Sequence, residues 1–407
     1  MKTKNLELYI HIPFCVKKCN YCDFLSFPCD ESTQQEYVSA LIREIGFYGA
    51  SMGDYQVSTI YFGGGTPSWL DELQMLRILD ALGEHFIISP EAEVTLECNP
   101  GTVTAGKLAL YRKNGINRLS LGLQSTDNRE LNILGRIHTF EQFLKTYELA
   151  RGAGFTNINI DLMSGIPYQT TESFAKSLKR VINLKPEHIS AYSLIIEKGT
   201  PFYEKYKFDL VKQEAGLQPD MLPHEDEVYR MYKLTQMMLT EAGFKRYEIS
   251  NYAKKGRACK HNVGYWTREN YLGLGLGAAS FIDHIRYSNT TDLYEYIENT
   301  RQIETCLFSS GEAENAVQTM GTNLHISAEQ LSRKASMEEF MFLGLRMTEG
   351  IARADFERDF GTPIEAVYQA PIMELKQEGL LVAREGRIAL TEKGIDVANY
   401  AMAKFLL

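Results

Sequence analysis

From Leu8 to about Ile196, short strand-like runs alternate with helix-like stretches. Six runs mix β-branched, aromatic and aliphatic residues as a pleated, buried surface requires: residues 8–12, 57–62, 92–98, 118–124, 157–163 and 188–196. Between them the pattern predicts helices over residues 32–47, 72–82, 105–113, 140–152 and 172–184. Two of these open on polar caps, Asp71 before Glu72 and Thr171 with Glu172. Strands separated by helices pair in parallel through right-handed crossovers. Six such units predict an α/β fold, an open, partial (β/α)6 barrel rather than a closed eight-fold one. Chemistry in such barrels gathers where the strands end. The residues least suited to core packing fall there. Three cysteines follow the first strand, and Gly63, Gly64 and Gly65 follow the second. Glu97 ends the third, Gln124 ends the fourth, Asp161 lies in the fifth and Ile195 is near the end of the sixth.

Beyond Glu197 the pattern is less regular. Residues 198–223 read as a long loop with short helical pieces, 224–243 as a helix stopped by a glycine, and 244–251 as a strand and turn. A glycine-rich segment covers 271–280. Residues 309–335 show no periodicity and read as a linker or insertion. The remainder, 336–407, reads as a small α+β module. Helices are expected at 354–360, 373–378 and 396–405, and a hairpin turns at Glu385-Gly386. That helix–hairpin–helix order resembles a winged helix. The expected domains are therefore 1–250, 251–308, 309–335 and 336–407.

Composition narrows the function classes. The chain has 407 residues, 44% hydrophobic and 23% charged, which is ample material for a globular core. Fifty-two acidic residues against 43 basic ones give a net charge of −9, which argues against a broad nucleic-acid surface. No apolar run reaches the length of about 18 residues that a spanning helix needs. The first eight residues lack the apolar stretch of a secretory signal, so a cytoplasmic protein is expected. Seven cysteines, an odd number, do not suggest a disulfide framework.

Three of those cysteines form Cys15-Val-Lys-Lys-Cys19-Asn-Tyr-Cys22. Three thiolates on one short loop suit an iron–sulfur cluster and leave one iron of a [4Fe–4S] cubane without a protein ligand. That iron can accept the amino and carboxylate groups of S-adenosylmethionine (SAM), whose sulfonium an electron from the cluster can cleave to a 5′-deoxyadenosyl radical. The alternative, structural zinc, wants a fourth ligand, and none lies beside these three. Cys29, Cys98, Cys259 and Cys306 read as plain thiols. Gly63-Gly64-Gly65-Thr66-Pro67 lets the backbone approach a ligand with no Cβ in the way. Glu97, Gln124, Arg136 and Asp161 offer partners for ribose hydroxyls, an amine and a carboxylate. In His261-Asn-Val-Gly-Tyr265-Trp266 an imidazole stands beside two aromatic faces. On residues alone that pattern describes a packed histidine as readily as a haem ligand.

Taken with Tyr9-Ile-His-Ile-Pro-Phe-Cys15, Gly122-Leu-Gln124-Ser125, Gly135-Arg136-Ile-His138 and Asp161-Leu-Met-Ser-Gly165-Ile-Pro167, these motifs resemble a known family. It is the radical SAM proteins related to oxygen-independent coproporphyrinogen III dehydrogenase, and within it the HemW group of haem chaperones. The resemblance covers nearly the whole chain, including Leu343-Gly-Leu-Arg346. Two features separate the chain from the dehydrogenase. Asp23-Phe24 stand where the dehydrogenase has a further cysteine, and no long extension precedes Tyr9.

The resemblance implies that Cys15, Cys19 and Cys22 hold the cluster. It implies SAM contacts at Tyr9, Tyr21, Gly64, Gly65 and Thr66, at Glu97, Gln124, Arg136 and Asp161, and, on weaker local motifs, at Ile195 and Ala279. His-Asn-x-x-Tyr-Trp implies haem on His261 as iron ligand, with Tyr265 and Trp266 against the porphyrin. No catalytic residue is implied. The function implied is a haem chaperone serving apo-proteins such as respiratory enzymes, with peripheral membrane association left open. Oxidative decarboxylation of coproporphyrinogen III by a deoxyadenosyl radical is the alternative.

Overall fold

The computed structural model describes residues 3–309 and 324–407, with backbone alone for 303–309. Six parallel strands stand side by side in chain order: β1 (Lys4–Ile12), β2 (Tyr55–Gly64), β3 (Ile88–Cys98), β4 (Arg118–Gln124), β5 (Ile158–Ser164) and β6 (His188–Ser193). The crossovers run through α1 (Glu31–Gly49), α2 (Glu72–His85), α3 (Ala105–Lys113), the short α4 (Asn128–Ile133) with α5 (Phe140–Gly152), and α6 (Thr171–Asn183). Asp71 caps α2 as expected, its carboxylate accepting from Leu73 N. The cap of α6 is Thr170, one residue before the expected position, in a capping box with Ser173.

Side-chain alternation makes each strand two-faced. On β1, Leu6, Leu8, Ile10 and Ile12 are fully buried in a core shared with Tyr37, Leu41 and Ile45 of α1. Each contributes about 1.5–3 kcal/mol through burial. Glu7, Tyr9 and His11 take the other face. β4 repeats the division, with Leu119, Leu121 and Leu123 in the core and Arg118, Ser120, Gly122 and Gln124 lining an interior cavity. A one-residue slip in register would exchange the two sets, so the polar lumen and the apolar shell specify each other.

The chain then extends the sheet at both ends. After α7 (Pro201–Glu214) and α8 (Glu225–Glu241), β7 (Lys245–Arg246) and β8 (Asn251–Ala253) add antiparallel strands beyond β6. After α9 (Lys260–Thr267), β9 (Tyr271–Leu274) pairs parallel with β1. Outside it lie the antiparallel β10 (Ala279–Ile282), β11 (Ile285–Asn289) and, following α10 (Leu293–Ser309), β12 (His325–Gln330). Among the described residues the sheet has twelve strands.

Several expectations change. Residues 198–223 are not mainly loop, because α7 fills 201–214, capped by Thr200 with Pro201 at its first position. Phe208 and Val211 on α7 are exposed, which blurs the helical pattern. The sixth strand stops at Ser193, short of Ile195. The aperiodic stretch 309–335 contains β12 and opens a helix at Arg333, and its residues 310–323 lie outside those described.

A second core joins Met341, Phe356, Leu375, Ile388 and Phe405. It is built from helices Arg333–Gly344, Arg353–Phe360 and Ile364–Gln377 and a small antiparallel sheet in which Leu381–Arg384 pairs with Arg387–Leu390. Glu385 (φ 49°) and Gly386 (φ 73°) make the left-handed hairpin turn. The helix Ile364–Gln377 starts nine residues before the expected 373, since Pro371 lies inside it and Tyr368 leaves helical geometry.

Glu44 locks the strand extension onto α1. Its fully buried carboxylate accepts from Asn289 Nδ2 (2.6 Å), Gly275 N (2.8 Å) and Tyr296 Oη (2.5 Å). Burial still pushes its pKa up to about 7, against the three donors. Between about pH 4.5 and 7 the unfolded chain has lost this proton while the folded protein keeps it. The unfolded state binds fewer protons there, so stability from Glu44 falls with rising pH across that window and levels off above it. Urea midpoints measured from pH 4.5 to 8 should show this decline in wild type and a flatter profile in Glu44→Gln. Parallel profiles would contradict the assignment.

Candidate functional site

The barrel lumen is a cavity of about 410 Å³ lined from the three cysteines at its mouth to His261 at its floor. At the mouth the cysteine loop folds on backbone bonds of its own. Cys15 N donates to Phe27 O (3.1 Å), Cys22 N to Cys19 O (3.2 Å) and Asn20 N to Leu134 O (3.0 Å). The glycine turn is stitched to it, Gly65 N to Ile12 O (2.8 Å) and Thr66 N to Phe14 O (2.7 Å). A Cβ on Gly64, at φ 106°, would stand 2.4 Å from the His11 ring, and one on Gly65 2.7 Å from Phe14 O. Only glycine allows this approach.

Each thiol has a polar neighbour. Thr66 Oγ1 donates to Cys15 Sγ (3.4 Å), the Arg136 guanidinium to Cys19 Sγ (3.6 Å), and Ser26 Oγ lies 4.0 Å from Cys22 Sγ. Asn99 ties the donors together, accepting from Arg136 Nη2 (2.7 Å) and donating to Thr66 Oγ1 (2.8 Å). Burial pushes the Cys15 and Cys22 thiols above their ordinary range, so deprotonation calls for a bound cation. Among the described residues no three His, Cys, Asp or Glu side chains gather as a ready-made site for a single metal ion. A cubane instead distributes its thiolates over separate irons. The donor set, three thiols with hydrogen bonds onto sulfur, fits a [4Fe–4S] cluster with one iron left open.

Below the thiols, polar side chains line the wall. Glu97 accepts from Tyr61 Oη (2.9 Å), and burial pushes its pKa up to about 7. Asp161 is raised by burial too, and accepts from Asn159 Nδ2 (2.7 Å). Gln124 sits at φ 71°, a left-handed conformation costly for a non-glycine residue, where β4 slips register against β5. Its Oε1 takes the Tyr192 hydroxyl (2.8 Å). Tyr9, Tyr21, Gly64, Gly65 and Thr66 line the same cavity. The glycine cradle and the carboxylates beyond it suit a ligand with an amino-acid end and a ribose.

Helix α9 closes the floor. Glu93 on β3 accepts from Lys260 N (2.8 Å), satisfying a free amide at the helix start. Gly264 lets the helix settle on β1, because a Cβ there would stand 2.1 Å from the Glu7 carboxylate. His261 is 3% exposed and stacks on Tyr61 at 5.2 Å. Its Nδ1 meets Thr59 Oγ1 (2.7 Å), with Glu7 Oε2 at 3.6 Å, and its Nε2 lies 3.3 Å from Tyr265 Oη. Burial, aided by the Arg118 charge, lowers its pKa to about 3, so the imidazole is neutral.

A file of hydrogen bonds climbs from this helix to the wall. Asn262 Nδ2 donates to Tyr247 Oη (3.2 Å), which meets His188 Nε2 (2.9 Å). His188 Nδ1 meets Asn159 Oδ1 (2.6 Å), and Asn159 Nδ2 reaches Asp161. His188 is held neutral by burial, so its one N–H points to the Asn159 carbonyl and Tyr247 donates to its free nitrogen.

Three of the residues singled out in the sequence are not brought to the cavity. Ile195 lies beyond β6 and is 71% exposed. Ala279 opens β10, exposed, on the strand extension. Trp266 points away, its ring covered by the Arg346 guanidinium at 4.3 Å. Arg346 also reaches Glu248 (3.6 Å), so this contact joins the barrel to the C-terminal module. Cys98 and Cys259 are buried and Cys29 half-buried, while the Cys306 side chain lies outside the described residues. Conversely, Arg118, Asn159, His188, Tyr192 and Tyr247 line the cavity without belonging to any motif noted above. For the four on β4, β5 and β6 the signal is period-two polarity within otherwise apolar strands. Tyr247, on the short connection from β7, carries none.

Residues 9–181 match the family model of the radical SAM superfamily, and residues 331–397 that of the HemN C-terminal domain. In Escherichia coli HemN, described as a coproporphyrinogen III oxidase and radical SAM enzyme, the same fold recurs with a TM-score of 0.79. That match is 24% identical and covers 100% of this chain and 91% of that one. Proteins named heme chaperone HemW are similar along the whole sequence. The one from Lactococcus lactis is 34% identical over 100% of this chain and 99% of its own, and that from Bacillus subtilis 33% over 98% of each. The E. coli HemW is 39% identical over 68% of this chain and 70% of its own. On whole-length identity, with three thiols at the mouth of this barrel, the chain belongs to the HemW family of radical SAM proteins.

Proposed function

We propose that this protein is a haem chaperone that carries a [4Fe–4S] cluster and SAM, binds haem through His261 and passes it to apo-proteins. The observation that carries the proposal is the placement of His261 in the same cavity as the three cysteines, on the helix that closes its floor. Whole-length relatives named for haem handling support it.

Cys15, Cys19 and Cys22 would hold the cluster, which when bound supplies one electron to the SAM sulfonium. Gly64 and Gly65 make room for the amino-acid end of SAM, and Glu97 and Asp161 accept from its ribose. Thr59 fixes the His261 tautomer by engaging Nδ1, leaving the Nε2 lone pair for iron. Tyr265 is the only contact at Nε2 among the described residues, at a long 3.3 Å, and is the group that iron displaces. Haem-accepting apo-proteins are the partners, and the cytoplasm is the proposed site of action. No described helix is long and apolar enough to cross a membrane.

The test offers anaerobically reconstituted protein first haem, then an apo-haemoprotein. Saturable haem binding followed by transfer is expected. Absence of both, with steady conversion of coproporphyrinogen III to protoporphyrinogen, would replace the chaperone by a decarboxylating enzyme.

A further inference from the structure

Arg118 places a charge at the cavity floor that no carboxylate among the described residues meets in a direct ion pair. It opens β4, is 2% exposed, and lines the cavity below Ser120, Gly122 and Gln124. Its guanidinium makes one weak hydrogen bond, Nη1 to Thr95 Oγ1 at 3.5 Å, and its Nε has no partner. Glu93 acts on it through space but turns its carboxylate to the start of α9. Cys259, also beside it, is kept a neutral thiol by burial and adds no counter-charge. Glu97 and Asp161 feel its charge through space, but they are held higher up by Tyr61 and Asn159 and make no hydrogen bond to it.

An arginine cannot shed its proton, and a buried ion without a partner is strongly unfavourable. Proteins keep such a charge where a ligand meets it. The guanidinium fork matches a carboxylate, and Arg118 and His261 line the same cavity, so an anion that met the guanidinium would share the floor with that imidazole.

We propose that Arg118 is the carboxylate subsite of the lumen floor, taking a propionate of the tetrapyrrole whose iron meets His261. This rests on the haem-chaperone reading above. The carboxylate of SAM is the other source of the same chemistry, and the test separates the two.

Full-length wild type, Arg118→Lys and Arg118→Met, each reconstituted, are titrated separately with haem, with haem dimethyl ester and with SAM. Wild type should prefer haem over its diester by about tenfold or more, the scale of a buried charge-assisted pair. Arg118→Met should bind the two alike, Arg118→Lys should fall between, and SAM affinity should not change. Ligand-free Arg118→Met should melt no lower than wild type, because an apolar chain of similar length replaces an unpaired charge. A haem-to-diester ratio unchanged in Arg118→Met would overturn the subsite, with or without a lower melting temperature. Loss of SAM affinity with that ratio kept would assign Arg118 to SAM and overturn it likewise. If wild type bound no haem, the proposed function itself would fall, and the subsite with it.

Discussion

Cys19→Ser is expected to reduce iron and sulfide after anaerobic reconstitution from about four of each per chain, the cubane stoichiometry, to near background. A serine oxygen is a harder and shorter ligand, and two thiolates cannot anchor a cubane whose fourth iron is already open. The variant should nonetheless fold. The loop is held by the backbone bonds of Cys15 to Phe27 and Asn20 to Leu134, and the Cys19 side chain hydrogen-bonds, among the described residues, to the Arg136 guanidinium, which keeps Asn99 and Gly122 O as partners. Circular dichroism matching wild type would separate loss of the cluster from loss of the fold. Cys29→Ser is the control. Cys29 does not line the cavity, and its replacement should leave iron content unchanged. Wild-type iron in Cys19→Ser, or equal loss in both, would contradict the ligand assignment.

His261→Ala is expected to weaken haem binding by about a hundredfold and to shift the Soret band, since the axial nitrogen is gone. Thr59→Val should act in the same direction more mildly, by about tenfold, because it removes the partner that fixes the imidazole tautomer without touching the ligand. His261→Ala also deletes a buried ring between Tyr61 and Tyr265, at a cost of about 2 kcal/mol or more in stability. Titrations therefore belong at a temperature where both variants are folded. The grading identifies the mechanism: a histidine that merely packs would change stability in both variants and spectra in neither. Unchanged affinity and spectrum in folded His261→Ala would remove haem ligation by this residue.

The barrel was legible because its strands are two-faced. Leu119, Leu121 and Leu123 announce a buried strand by composition, and Gly64 and Gly65 end another with a turn that tolerates no Cβ. The cysteine spacing is local and needs no fold to be read. Position in space was not legible. Nothing around His261 in sequence shows that α9 folds back under the barrel, because the contacts that seat it come from Glu7, Thr59 and Glu93, each distant in the chain. For the same reason Trp266, adjacent to Tyr265, faces the C-terminal module instead of the cavity. α7 was hidden by its exposed Phe208 and Val211, and β12 by a sequence that, among the described residues, pairs only with β11. Arg118 does not read as buried from the sequence, because a polar residue at a strand start is ordinarily a surface residue. In the fold it is 2% exposed and lines the floor of the cavity.

Electron paramagnetic resonance of the reduced, anaerobically reconstituted wild type, recorded before and after adding SAM, addresses the cluster site most directly. Three protein thiolates leave one iron for an exchangeable ligand, so a [4Fe–4S]⁺ signal whose g-values move when SAM is added is the predicted result. A protein that carries zinc or no metal after reconstitution, or a cluster signal indifferent to SAM, would contradict it.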